Sequence, residues 1–329
     1  MGQVPAVLTY IARRAAVAFA TLFVLATLLF ILFRLVPGDP TLTVLSPALS
    51  PENQAELRQR FGLDQPMIVQ YGLYLTSMAT GHFGISFSRA TPVVALIGER
   101  VVNTLVLMLP ALILAYVLGI FGGALIAWKR GSLLEKSATL FAIVFRAAPI
   151  FWMCIVFIVV FSHWLGLVPE GHMLTPGLSS GSGVSQFLSV DFLRHLVLPL
   201  VVMTIYYGCY PLLVMRTSML EVLHDDFIEL CKAKGLSERD VVFRHALRAS
   251  LLPITSSVAL LAAYAVAGSV LVEAVFSWPG IGLLMVQAVL DSDYPVAQAA
   301  FLLIAVLTVA GNLIADLLYG FVDPRIRYS

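Results

Sequence analysis

The sequence predicts an all-α polytopic membrane protein with six transmembrane helices. Three observations carry that expectation. First, 60% of the 329 residues are hydrophobic and only 12% are charged, against about 25% charged residues in a typical soluble domain. So oily a chain cannot hide its apolar surface inside one water-exposed core. Second, six charge-poor runs reach the length of about 20 residues that a helix needs to cross a bilayer. They are Ala15–Phe33, Val101–Trp128, Ser137–Leu167, His195–Met215, Ala249–Val272 and Tyr294–Ala315. Third, none of these runs alternates apolar and polar residues as a barrel strand does. Helices are then the structure that satisfies the backbone in lipid.

Taken in order, span one is too long for a signal-peptide core and lacks a small-residue cleavage site, so it is expected to be retained. Residues 1–36 read as a cytoplasmic N-terminus and span one. The turn Pro37-Gly38-Asp39-Pro40 stops that helix and opens a region, residues 37–100, of mixed polarity. Phe61, Leu63, Tyr71, Leu73, Leu75 and Phe83 give this region enough apolar surface to pack as a small periplasmic cap. Residues 101–329 read as a core holding spans two to six. Within it, the Gly- and Ser-rich stretch Val168–Arg194 reads as an irregular loop, and residues 216–250 form a long charged loop between spans four and five.

Loop charge sets the direction of insertion. An even number of spans puts both termini on one side of the membrane. The Lys and Arg residues on that side outnumber those on the other by thirteen to six, leaving aside Arg146 within span three. The excess of basic residues in cytoplasmic loops places both termini in the cytoplasm. Glu170, Asp191, Asp291 and Asp293 then fall outside.

The charged loop has internal order. From Glu221 onward, Leu223, Phe227, Leu230 and Cys231 recur at helical spacing and predict one apolar stripe. Gly235 supplies the left-handed residue that ends a helix at low cost. Ser237 with Asp240 three residues later predicts the start of a second helix running through Arg248 towards Pro253. The pattern is helix, glycine turn, helix along the cytoplasmic face. Pattern alone leaves two uses open, a basic interfacial anchor or a docking surface for a cytoplasmic partner.

Longer motifs favour the docking surface. The runs "RTSMLEVL" (Arg216–Leu223), "KAKGLS" (Lys232–Ser237) and "RHALR" (Arg244–Arg248) resemble the cytoplasmic loop of membrane subunits of ABC importers. In that family a coupling helix with an E-A-A-x-x-x-G pattern docks into an ATPase subunit. Here Glu229-Leu230-Cys231 stands at the triplet and Gly235 at the glycine. "RLVPGDP" (Arg34–Pro40), "FGLDQPMIVQYGLYL" (Phe61–Leu75), "GHFGISF" (Gly81–Phe87), "VEAVFSWPGIG" (Val272–Gly282), "DYP" (Asp293–Pro295) and "DLLYGFVDPRIRY" (Asp316–Tyr328) extend the resemblance over nearly the whole chain. It is similar to the B-type permease of oligopeptide, dipeptide or nickel ABC importers. That resemblance implies a bacterial inner-membrane protein of the type I importer fold. Its partners would be a C-type second permease subunit, two cytoplasmic ATPase subunits and a periplasmic solute-binding protein. Its substrates would be peptides or related small solutes. The residues it implies for ATPase contact are Asp225, Phe227, Glu229, Ala233, Lys234 and Gly235, on a lever spanning Glu221–Gly235.

The chain has no G-x-x-x-x-G-K-[S/T] run, so it cannot cradle ATP as a P-loop does; ATP is expected on the partner subunits, with no cofactor and no enzyme activity here. A secondary transporter or channel working without an ATPase is the alternative on composition. The basic residues are dispersed over short loops, which disfavours nucleic acid. The cysteines Cys154, Cys209 and Cys231 lack metal-type spacing, and the six histidines form no H-E-x-x-H. Gly177–Gly181 matches G-x-S-x-G in letters, but it lacks the strand and helix that motif requires.

Arg146 falls about ten residues into span three, roughly 15 Å deep at 1.5 Å per residue in a core about 30 Å thick. Two readings apply, a cation on the translocation path or a structural partner of Asp316 in span six. Tyr206, Tyr207 and Tyr210 in span four serve either packing or pore lining. Glu273 opens the Val272–Gly282 motif in a structural or substrate-facing role.

Overall fold

In the computed structural model, residues 3–35, 65–177, 183–254 and 270–322 are described, with side chains for 12–34, 65–177, 185–254 and 270–313. The helices are α1 (Gln3–Leu35), α2 (Met67–Thr80), α3 (Val93–Trp128), α4 (Leu133–Ala147), α5 (Ile150–Phe157), α6 (Val190–Val222), α7 (Asp226–Ala233), α8 (Glu238–Asp240), α9 (Leu247–Ala249), α10 (Val270–Val275), α11 (Ile281–Leu290) and α12 (Tyr294–Val322). Widened π-helical turns follow α5 at Ile158–Trp164 and join α8 to α9 at Val241–Ala246. Among the described residues the one extended pairing is an isolated bridge between Ile85 and Pro92. The protein is all-α.

Among the described residues four helices are long and apolar enough to cross a membrane: Ala12–Arg34 within α1, all of α3, all of α6, and Tyr294–Leu313 within α12. The predicted third span is two pieces. Leu133–Ala147 and Ile150–Trp164 meet at a bend of 108°. The cause is Pro149: the residue before a proline is pushed out of the α region, and Ala148 is extended at φ −69°, ψ 137°. Most of the predicted fifth span, residues 255–269, lies outside the described residues.

Two boundaries move for local reasons. The span expected from Val101 begins at Val93, so the boundary at residue 100 falls inside a helix. Pro92 starts it, with its carbonyl accepting from Ala95 and Leu96; Glu99 and Arg100 disguised this first part as loop. The span expected from His195 begins at Val190, because the Ser189 hydroxyl caps the Phe192 N–H at 3.1 Å.

The chain divides into two compact units, Met1–Thr104 with Val266–Val270 and Pro279–Ser329, and Leu105–Ala265 with Leu271–Trp278. In the first, α1 packs on α12 through Leu29, Phe33, Ala297 and Ala300, with Phe33 edge-on to Tyr294 at 5.5 Å. Helix α2 lies against α1, where Thr27 Oγ1 and Tyr71 OH share a hydrogen bond of 2.7 Å. Of the apolar residues read as a cap, Tyr71, Leu75 and Phe83 pack around Ala26 and Phe30. Leu73 is exposed, and Phe61 and Leu63 lie outside the described residues.

The second unit is built on the contact of α3 with α6. A Cβ placed on Gly119 would lie 2.6 Å from Pro211 Cγ and 2.8 Å from the Gly208 carbonyl oxygen. One on Gly123 would lie 2.5 Å from the Leu212 oxygen and 2.7 Å from Met215 Cβ. Lipid tails are as apolar as the side chains, so helices in a membrane associate through close packing at small residues. Ala115, Gly119 and Gly123, four residues apart, form that stripe. Beside it, Leu107, Met108, Met153, Met203, Phe192 and Trp278 fill the main core.

The stripe gives a graded expectation. Gly123→Ala forces the helices apart and lowers stability by about 1–3 kcal/mol, the usual cost of overpacking. Gly122→Ala, whose nearest neighbour would be Leu212 Cδ1 at an ordinary 3.5 Å, leaves the melting temperature in detergent near wild type. Equal melting temperatures for the two variants would remove the steric argument.

Candidate functional site

The expected cytoplasmic helix from Glu221 is not continuous. Helix α6 runs on to Val222, and the chain then turns, with His224 N–H donating to Glu221 O (3.1 Å) and Asp225 N–H to Val222 O (3.0 Å). The His224 ring reinforces the turn. Its Nδ1 donates to the Leu220 carbonyl at 2.6 Å and its Nε2 accepts from Arg130 at 2.9 Å. Asp225, extended at φ −74°, ψ 146°, stands at the N-cap of α7. Asp226 and Glu229 in the first turn suit the positive end of the helix dipole.

Gly235 ends α7 as the sequence suggests. Its φ is +79°, a conformation costly for any residue with a Cβ. Leu236 N–H donates back to Cys231 O (3.3 Å) and Gly235 N–H to Lys232 O (2.9 Å). These are the paired bonds of a Schellman cap. Ser237 then caps α8, accepting from Asp240 N–H at 3.2 Å and donating to Asp240 Oδ2 at 2.6 Å.

The apolar residues of α7 point two ways. Ile228 is fully buried, with Cys231 and Leu223 partly covered. It packs in one cluster with Val241, Val242 and Ala246 from the following turn, Ala124 and Ala127 from α3, and Met215 and Met219 from α6. Burying an isoleucine contributes roughly 1.5–3 kcal/mol. Phe227 and Leu230, expected on the same stripe, face outward instead, 38% and 56% exposed, beside Leu236 at 38%. The helical spacing is real, but Ile228 was absent from the expected stripe, so the inward face was assigned about one residue out of place. Asp225, Phe227, Glu229, Ala233, Lys234 and Gly235 are all at the surface.

Polar contacts tie this segment to the membrane helices. Glu135 of α4 is buried; it accepts from Arg216 Nε of α6 at 2.9 Å, pairs also with Arg216 Nη2, and accepts from Gly131 N–H at 2.6 Å. Ser218 donates to the Ser250 carbonyl at 3.1 Å. Trp128 Nε1 donates to Glu238 at 2.9 Å and stacks edge-on against Phe243 at 5.8 Å. Sequence reasoning read Arg216 as a topology marker and passed over Glu135. A lone acid at the start of a span was the available signal.

Arg146 lies in the last turn of α4, beside the 108° break. It is exposed, and its guanidinium carbon lies 5.4 Å from the centre of the Tyr206 ring. The side chain of Asp316 lies outside the described residues. Tyr207 is half-buried and Tyr210 is 42% exposed. Glu273 is fully buried. Among the described residues no group of three His, Cys, Asp or Glu side chains could hold a metal ion.

In the first unit two distant motifs converge. Asp293, 1% exposed, accepts from the Ser86 hydroxyl, from Phe87 N–H (3.0 Å), from Ser88 N–H (3.2 Å) and from the Ser88 hydroxyl (2.8 Å). Asn103 Nδ2 donates to Pro279 O (2.9 Å), and Thr104 Oγ1 accepts from Ile281 N–H (2.9 Å). The sequence marked these motifs separately and gave no sign that they meet.

Two family models match the chain. The binding-protein-dependent transport system inner membrane component model matches residues 115–328, and the N-terminal model of binding-protein-dependent transport system membrane components matches 7–108. The oligopeptide transport system permease protein AppB of Bacillus subtilis is 38% identical over 97% of this chain and 99% of its own. The di/tripeptide transport system permease protein DppB of Pseudomonas aeruginosa is 37% identical over 98% and 99%. The dipeptide transport system permease protein DppB of Escherichia coli K12 is 35% identical over the same shares.

The Asp293 cradle sets a measurable hierarchy. Asp293→Ala strands several donors at once and costs about 3 kcal/mol, whereas Ser88→Ala removes one side-chain donor and costs about 1 kcal/mol. Thermal melting in detergent reads the difference, and a ranking in the reverse order contradicts the cradle.

Proposed function

The chain belongs to the family of binding-protein-dependent transport system inner membrane components, and from that premise we propose that α7 is the element through which an ATPase drives this permease. The chain is a permease subunit of an ABC importer, a multi-pass inner-membrane protein that works with ATPase and substrate-binding components. Its task is transport rather than catalysis. The finer assignment is a pore formed with a C-type permease subunit, two cytoplasmic ATPases that bind the ATP, and a periplasmic binding protein. Both termini lie in the cytoplasm. The substrates are peptides, as the names of the relatives suggest.

One observation carries the coupling role. Helix α7 is held by an inward face around Ile228 while Phe227, Leu230 and Leu236 stand exposed among charges. An outward apolar face on an anchored helix fits a groove in a partner, the helix-in-groove mode. Asp225, Glu229, Ala233, Lys234 and Gly235 would surround that contact. Displacement of the ATPase then passes through Ile228 to the ends of α3 and α6, and through Arg216 to α4. Packed elements with two arrangements convert such a push into inward- and outward-facing states.

Arg146 is assigned to the translocation path. It is an exposed cation at a helix break, with its guanidinium over the Tyr206 ring and close enough to Cys209 to act on it electrostatically. Intramembrane charges face a bundle interior or a water-filled cavity, and a peptide carboxylate suits it there.

Leu230→Asp leaves folding intact and weakens ATPase co-purification at least about tenfold, as loss of an interface anchor does; wild-type co-purification contradicts docking at this face. Gly235→Val strains the turn and abolishes uptake while membrane insertion stays normal; undiminished uptake contradicts the lever. For Arg146, additive effects of Arg146→Ala and Asp316→Ala on peptide uptake agree with a path residue, and strong non-additivity assigns it to a pair with Asp316.

A further inference from the structure

A cavity of about 250 Å³ lies in the first unit, at the C-terminal end of α1. Its wall is aromatic: Phe30 and Phe33 from α1, Tyr74 from α2, Phe83 and Phe87 from the following turn, and Tyr294 from α12. Arg34, half-buried in the last turn of α1, reaches into the lining. Its guanidinium carbon lies 5.5 Å from the Phe30 ring centre. No Asp or Glu lines the cavity among the described residues, and none pairs with Arg34. The Tyr74 side chain is a second, independent sign. The residue is 9% exposed, and its hydroxyl is buried without a hydrogen-bond partner among the described residues. Burial, with Tyr71 adding to it, pushes that hydroxyl's pKa up to about 12, so it stays a neutral donor.

An arginine at the end of a span is commonly a snorkelling anchor. That explains Arg34 at the interface but leaves Tyr74 unexplained, since a buried hydroxyl without a partner is costly. An anionic ligand accepting from both groups, which line the same cavity, resolves both. Arg34 beside His82, with no Asp or Glu in the lining among the described residues, suits a singly charged anion, and the aromatic wall suits an apolar body attached to it. The surroundings supply such a molecule. Phe23, Leu28, Ile31 and Leu32 on α1 and Met67 and Ile68 on α2 are exposed large hydrophobic residues, as on surfaces that face lipid.

We propose that this cavity is a binding site for the phosphate of an anionic phospholipid, with Arg34 pairing the phosphodiester and the Tyr74 hydroxyl donating to it. A phosphodiester carries one negative charge and has acyl chains to lie along α1 and α2. Arginine suits phosphate through its planar array of donors.

The test uses the assembled importer in nanodiscs of phosphatidylcholine doped with phosphatidylglycerol. Phosphatidylglycerol retained after detergent extraction is counted by mass spectrometry. Wild type retains it, Arg34→Gln retains about tenfold less, and Tyr74→Phe also loses retention, as expected for losing a charge-assisted and a neutral hydrogen bond. Tyr74→Phe removes one atom, so it reports even if Arg34→Gln folds poorly. Equal retention in wild type and Tyr74→Phe overturns the proposal. So does displacement of the lipid by millimolar inorganic phosphate, which would make the site one for a free anion. Neither readout requires transport, so the site stands or falls apart from the coupling role of α7.

Discussion

The close approach of α3 and α6 at Gly119 and Gly123 is the constraint on which the functional end of the second unit depends. With no room for a Cβ at either glycine, the two backbones are locked in register. That register brings Ala124 and Ala127 alongside Met215 and Met219 and creates the seat that Ile228 fills. In lipid this contact cannot rest on the hydrophobic effect, since apolar side chains gain little by leaving apolar chains. It rests on fit. Such fit leaves little room for the helices to slide.

A close-packed seat with a two-faced helix on it separates the anchoring face from the exposed one. Ile228, Val241, Val242 and Ala246 hold the segment, while Phe227, Leu230 and Leu236 stand exposed. The Glu135–Arg216 pair adds α4 to the same assembly, and α4 carries Arg146 in its last turn, just before the break at Pro149. One chain of contacts thus runs from the surface of α7 to an exposed cation next to a helix break. The Trp128–Glu238 bond fixes the far end of the segment to α3, so the segment is held on both sides of its glycine corner.

Much of this was legible in the sequence because it depends on local rules. Apolar length marked α1, α3, α6 and α12. Gly235 and Ser237 announced the corner, since a left-handed residue and a side-chain cap are properties of a few neighbouring positions. The errors came where neighbours in space decide. Phe227 and Leu230 share the helical period with the true anchor, and only the facing surfaces of α3 and α6 select Ile228. Pro149 was in plain view, but its bend was submerged in a run apolar enough to look continuous. Glu99 and Arg100 masked the start of α3, because charge was read as loop when it belonged to a helix end. The meeting of Ser86 and Ser88 with Asp293, about two hundred residues apart in the chain, obeys no local rule. The small-residue stripe at Ala115, Gly119 and Gly123 could have been read from its four-residue spacing.

Helix α7 has one face packed on its own chain, and we propose that its other face meets an ATPase. The most direct test is photo-crosslinking in the assembled importer, with a benzophenone amino acid placed in turn at Phe227, Ile228, Leu230 and Lys234. The account predicts ATPase adducts at Phe227, Leu230 and Lys234 and adducts within the permease alone at Ile228. ATPase adducts at all four positions, or at none, would contradict it.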